Sequence, residues 1–237
     1  LSAVFGNGGA SEFLSTFCDG LAGATGGNVK TIALNSTNLV VGGLFTTVNG
    51  TARNFIAEVS SACALTSWNP SVTGTDVKAM VVSGSSLYVG GNFTMLSTSA
   101  RTDFGALNLN VTANYVGSLN PAPNGDVYSL YLYGTTLYVG GAFTSFGGST
   151  RIRAASVSTS TGTVSTWAPY FNGTVGAIHV GSSYIYAGGS FTMGGASARS
   201  NLASFSASTG YLSSTYTPNP NHDVYALHTA ASRLFVC

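Results

Sequence analysis

The 237-residue chain is 44% hydrophobic, 11% aromatic and only 6% charged, so it carries ample material for a core beneath a surface that Ser, Thr, Asn and Gly must make polar. A formal net charge of +1, with no cluster of Lys and Arg, argues against nucleic acid and against an anionic membrane surface as partners. No apolar run approaches the roughly 20 residues that a spanning helix needs, which excludes membrane insertion by a helix.

Residues 1–27 are irregular and read as a lead-in or a partial unit. From residue 28 onward one phrase returns: Leu39 to Thr46 (LVVGGLFT), Leu87 to Thr94 (LYVGGNFT), Leu137 to Thr144 (LYVGGAFT) and Ile185 to Thr192 (IYAGGSFT), at steps of 48, 50 and 48 residues. Leu234-Phe235-Val236 opens a fifth copy. Such a period marks an array of supersecondary units, none able to bury its apolar face alone. The units run 28–75, 76–125, 126–173, 174–222 and, in part, 223–237. The chain starts without Met and stops at Cys237 inside a strand pattern, so it reads as a piece of a larger chain.

Each unit opens on a Val-led strand beginning at Val29, Val77, Val127, Val175 or Val224, short, β-rich and bounded by turn residues. Its third position is always small (Thr31, Ala79, Ser129, Ala177, Ala226), as expected where strands of several units crowd together. A tight turn leads into the repeated phrase, which predicts an antiparallel hairpin. The glycine pairs, such as Gly42-Gly43 and Gly188-Gly189, predict a bulge or a close backbone approach. Phe45, Phe93, Phe143 and Phe191 are predicted to be packing knobs between units. A second strand pair follows, starting at Phe55, Phe104, Ala154 and Leu202, and Pro70, Pro121, Pro169 and Pro218 then start the crossing to the next unit. Four strands per roughly 50 residues is the size of a propeller blade. The fold class read from this is all-β: a β-propeller of four-stranded blades, about four and a half of them present.

Written as V-x-A-L, L-Y-V-G-G-x-F-T, A-R, S-T-G, W-x-P, the unit resembles the delta-sixty-repeat propeller family and, more loosely, the propeller of the fungal cortical polarity-landmark protein. The resemblance covers nearly all of the chain from Asn28 onward. It implies an extracellular or cell-surface scaffold within a large multidomain protein, with no assigned activity. Cys237 in place of Gly and Leu119 in place of the aromatic depart from the pattern.

Several sets of residues recur in register. Asp76, Asp126 and Asp223 directly precede the opening Val, where other copies have Asn28 and Thr174. A polar ring around an axial mouth would suit Ca²⁺ or a sugar hydroxyl, but caps of tight turns or pairing across blades account for it more simply. Arg53, Arg101, Arg151 and Arg199 repeat at the same steps and predict one structural job, ion pairs or hydrogen bonds to carbonyls between adjacent blades. His179 and His228 share a position held elsewhere by Ala33, Val81 and Tyr131. Without a third ligand they make no metal site. His222 beside Asp223 has no nucleophile in a G-x-S-x-G setting, and Asp76 with Asp126, the one nameable glycosidase pair, is better explained by turn geometry. No metal, cofactor or enzymatic activity is therefore expected.

Asn35, Asn49, Asn92, Asn110 and Asn172 each begin an N-x-T sequon. Asn49 and Asn172, in turns with Gly next, are the preferred acceptors, and Asn92 lies inside a strand. Cys18, Cys63 and Cys237 show no metal spacing. Cys18 and Cys63 fall at comparable places, so they either bridge and close the first unit or stay as two buried thiols. The function expected is a secreted or cell-surface structural or adhesive glycoprotein module whose partners are other protein subunits or domains of its own chain. A carbohydrate-binding propeller is the alternative, needing Trp68, Trp167 and Tyr216 as exposed platforms, and a propeller hydrolase is the third reading.

Overall fold

The computed structural model describes residues 24–110, 117–230 and 233–237. Every regular element among them is a β-strand, and no helix there is long and apolar enough to cross a membrane. The chain divides into two compact units, Leu1–Asn120 and Pro121–Cys237.

In the first unit, Val29–Asn35, Asn38–Gly43 and Ile56–Val59 form one antiparallel sheet in that order. Val72–Ser83, Ser86–Leu96 and Phe104–Asn108 form the next. The second unit repeats the plan with Val127–Tyr133, Thr136–Gly141 and Ala154–Ser158, then with Thr174–Val180, Tyr184–Ser190 and Leu202–Ser206. It ends with the hairpin Leu227–Ala230 and Arg233–Val236. Two-residue loops join the opening hairpins where Ser83 faces Ser86 and Tyr133 faces Thr136. Gly84 and Gly134 take φ of 56° and 58° there, a region that costs glycine little.

The fourth strand predicted for each unit is reduced to a stub. Leu65, Val164 and Leu212 make single bridges to Val59, Val157 and Phe205, and one further rung follows, from the N–H of Thr66, Ser165 and Ser213 to the carbonyls of Glu58, Ser156 and Ser204. The ladder stops because side chains compete for the next amide: Thr66 Oγ1 accepts from the Trp68 N–H and Ser165 Oγ from the Trp167 N–H. Proline follows within two residues.

A small second sheet completes each repeat. The chain after the Phe-Thr pair turns back in a hairpin, as in Thr47–Val48 with Thr51–Ala52 and Ser145–Phe146 with Ser149–Thr150. The segment leading into the repeat pairs with it: Ala24 with Val48, Val72 with Leu96, Phe171 with Gly194. The crossing segments, which the sequence assigns to the end of one unit, thus pair with the hairpin of the next.

The sheets are buried on both faces. Leu39 and Val41 pack with Phe45 and Val59 on one side. Val40 and Ile56 turn the other way, into a cluster with Val77, Met80, Val89 and Phe93 of the following repeat. Phe45, Phe93, Phe143 and Phe191 are all fully buried, each contributing about 1.5–3 kcal/mol. Phe93 and Phe191 share clusters with residues of the preceding repeat. Phe45 instead packs within its own repeat and against Ala24.

The register shift lies opposite the glycine pair rather than on it, between Val29 and Thr31, Val77 and Ala79, Val127 and Ser129, and Val175 and Ala177. The glycines serve close approach. A Cβ on the first Gly would strike the opening Val of the following repeat, 2.7 Å from Val77 Cγ1 for Gly42 and 2.7 Å from Val175 Cγ1 for Gly140. A Cβ on the second would meet the carbonyl before its own opening Val, 2.1 Å from Asn28 O for Gly43. Adjoining opening strands also touch directly where the Ile178 N–H donates to Ser129 Oγ at 2.8 Å.

Candidate functional site

The four repeated arginines do the same thing four times. One guanidinium nitrogen of Arg53, Arg101, Arg151 and Arg199 donates to the carbonyl of the preceding residue. The other donates to the stub strand, at Thr66 O, Gly117 O, Ser165 O and Ser213 O, over 2.6–2.9 Å. These bonds tie the small hairpin to the end of the same repeat, which corrects the expectation of a link between adjacent blades. The planar fork suits two carbonyls at once.

The acidic ring does not present itself as a set of open oxygen ligands. Asp76 is 2% exposed and held by two lysines, Lys30 Nζ at 2.5 Å and Lys78 Nζ. Burial alone would raise its pKa, but the hydrogen bonds and charges of Lys30 and Lys78 outweigh that and hold the carboxyl below its ordinary 3.8. Asp126 accepts from the Tyr128 hydroxyl at 3.3 Å, Thr174 is half-buried, and Asn28 and Asp223 are exposed. No group of three or more His, Cys, Asp or Glu among the described residues is placed to hold a metal ion.

His179 sits in a cross-repeat aromatic row, with the Tyr131 ring 4.6 Å away and the His228 ring 5.7 Å away. Its Nε2 is 2.7 Å from Thr229 Oγ1. Burial, with a smaller contribution from His228, lowers the His179 pKa below 6.5. His222 and Asp223 lie in an exposed turn.

The side-chain amides of Asn172 and Asn35 are engaged within the fold. Asn172 accepts from the N–H of Thr192 and Met193 and donates to Thr192 Oγ1. Asn124, which is not in a sequon, makes the same three bonds to Thr144 and Ser145, so the bracket is a turn device of the repeat. Asn35 Nδ2 donates to the buried Glu58 at 2.8 Å. Asn49 and Asn110 are exposed and Asn92 is half-buried in its strand. Cys63 is disulfide-bonded and Cys237 is a free, exposed thiol; Cys18 lies outside the described residues.

The platforms required for a carbohydrate site are not equivalent. Trp68 is packed at 4% exposure and its indole N–H donates to Asn108 O at 3.2 Å. Tyr216 is half-buried against Tyr186, with rings 5.8 Å apart. Trp167 differs: it is half-buried between the two full repeats of the second unit, edge-on to Tyr138 and Phe205. Its Nε1 is buried with no hydrogen-bond partner.

Beside Trp167 opens a groove of about 1100 Å³, lined also by Tyr138, Tyr170, Met193 and Tyr211 and by the hydroxyls of Ser208 and Thr209. No Asp, Glu, Lys, Arg or His lines it. The repeats themselves explain the opening. Leu109 directly follows Asn108, the residue paired with Ser86, and fills the corresponding space beside Trp68. Ala207, which directly follows Ser206, the residue paired with Tyr184, leaves it empty. The carbonyl that would answer Trp68's acceptor, Ser206 O, is occupied by the Gly210 N–H at 2.8 Å. Trp167 was visible in the sequence, but nothing there set it apart from Trp68.

No family model matches the chain, and no curated protein matches it. Among solved structures it is similar to the computationally designed Ika8 protein, with a TM-score of 0.59 and 11% identity over 88% of this chain and 55% of that one. It is also similar to the extracellular domain of the one component system BT4673 from B. thetaiotaomicron, with a TM-score of 0.55 and 17% identity over 87% of this chain and 25% of that one. At these identities the likeness is one of fold, and the chain spans only part of either protein's length.

Proposed function

We propose that the chain is a non-catalytic, extracellular or cell-surface module, a β-propeller of the delta-sixty-repeat kind that serves as a structural or adhesive scaffold in a larger assembly. The observation that carries this reading is how its few functional groups are used. All four repeated arginines bind backbone carbonyls of their own repeat, and Asp76 is neutralised by two lysines. Groups that elsewhere would do chemistry here brace the fold, and a scaffold's role then rests with its contacts. The propeller geometry is supported by opening strands that touch from repeat to repeat and by glycines that admit the valine of the following repeat. The extracellular placement is supported by the disulfide at Cys63, by exposed sequon residues such as Asn49, and by the fold likeness to an extracellular domain.

Cross-linking mass spectrometry on the native assembly tests it. The expected result is a small set of protein neighbours attached at defined surface residues, with no turnover of glycosides, esters or peptides by the purified chain. Saturable hydrolysis of any of these would overturn the reading.

A further inference from the structure

We propose that the groove between residues 126–173 and 174–222 binds a neutral oligosaccharide, with the rings of Tyr170 and Tyr211 as stacking faces and the indole N–H of Trp167 as a donor to a sugar hydroxyl. This goes beyond the scaffold reading and does not depend on it.

The lining sets the ligand class. With no charged side chain present, a phosphate, carboxylate or ammonium group would lose its hydration and meet no counter-charge. A neutral sugar presents apolar C–H faces and hydroxyls, and the groove offers aromatic rings beside Ser208, Thr209 and Thr166. Tyr211 is 78% exposed and Tyr170 47% exposed, so two large rings of the lining are open to solvent. A few convergent polar groups in a mainly aromatic cleft are the usual make-up of a small-ligand site.

Trp167 supplies the second, independent observation. A buried donor without an acceptor costs about 1–3 kcal/mol, and in the first unit Trp68 meets that need through Asn108 O. Trp167 has no such partner. Its cover is the Ser208–Gly210 turn, where a Cβ on Gly210 would stand 3.1 Å from Trp167 Cδ1 and 4.0 Å from Nε1. The turn lies close over the indole, so the sugar hydroxyl that satisfies the donor displaces it.

The chain has 2 Trp, so ¹⁵N-labelled protein gives two indole N–H resonances, with Trp68 as the internal control. The 237-residue chain is titrated with cellohexaose, xylohexaose, mannohexaose and chitohexaose, and separately with decaproline. The proposal expects at least one saccharide to move the Trp167 resonance saturably while Trp68 stays in place. Ala207→Leu, which restores the filling residue of the earlier repeat, and Tyr211→Ala, which alters an exposed ring only, should each weaken that binding about tenfold or more. Four saccharides without effect, a response to decaproline alone, or unchanged affinity in Tyr211→Ala would each overturn it. Should Ala207→Leu fail to fold, Tyr211→Ala decides alone.

Discussion

Gly188 lies directly against Val224: a Cβ built on the glycine would stand 2.4 Å from Val224 Cγ1 and 2.9 Å from its Cβ. Both partners are buried, so neither side has space to give. The glycine of one repeat is therefore a socket for the valine that opens the following one. Gly188→Ala should destabilise the fold by about 1–3 kcal/mol, the usual range for an overpacked core. Denaturant unfolding checks this, and Gly84→Ala, with nothing near its Cβ site but a positive φ, should cost less, about 1 kcal/mol.

The arginine fork makes a second prediction. Arg199 is 8% exposed and donates to Ala198 O and Ser213 O. Arg199→Ala removes two charge-assisted bonds, to the exposed Ala198 and the half-buried Ser213, so a loss of about 1–3 kcal/mol is expected. Arg199→Lys should recover less than half of it, because an ammonium cannot span both carbonyls in the plane that the guanidinium occupies. Thermal unfolding of the two variants gives the comparison, and equal midpoints for wild type and Arg199→Ala would show the clamp to be idle.

Stability should also depend on pH in two windows. Asp76 has its folded pKa lowered, because the two lysines outweigh the effect of burial. The stabilisation it brings is complete above the unfolded value of about 3.9 and is lost as pH falls through the lower folded value. His179 is lowered as well, chiefly by burial and then by His228. The unfolded chain takes up that proton first, so stability falls as pH drops below about 6.5. Asp76→Asn should flatten the acid limb and His179→Gln the milder one in unfolding midpoints measured from pH 8 to pH 3.

A fourth prediction concerns backbone strain. Phe55, Asp103, Arg153 and Asn201 occupy one repeat position and take φ of 66°, 57°, 71° and 60°. Each N–H donates to the carbonyl of the buried Phe, and each carbonyl accepts from the second Gly of its repeat. That geometry fixes the positive φ whatever the side chain. Asn201→Val should cost about 1–3 kcal/mol, since a β-branched residue is poorly tolerated there, whereas Asn201→Gly should lose only the bond from Nδ2 to Pro220 O. Unfolding midpoints in the order Gly above Val are expected.

Much of the fold was legible because the same physical demand recurs four times with the same residue. The opening Val, the glycine pair, the buried Phe and the Arg fork each show in the sequence as a column of one amino acid, and each holds one structural post. The left-handed residue was not legible: Phe, Asp, Arg and Asn share no chemistry, and only the hydrogen bonds around them impose the conformation. The direction of the Arg contacts was also hidden, since repetition reveals a common task without naming the partner. The groove escaped for the opposite reason. It depends on a break in the repeat, Ala207 where Leu109 stands earlier, and on a carbonyl taken up by a local turn, neither of which is a motif.

Within the second unit, residues 126–173 and 174–222 lie side by side with their opening strands in contact. Nuclear Overhauser spectroscopy across Val127–Tyr133 and Thr174–Val180 tests that directly. Cross-peaks between the Ile178 amide and the Ser129 β-protons, and between the rings of His179 and Tyr131, are the predicted result. Spectra with assigned strands and complete contacts inside each repeat, but none between these residues, would contradict it.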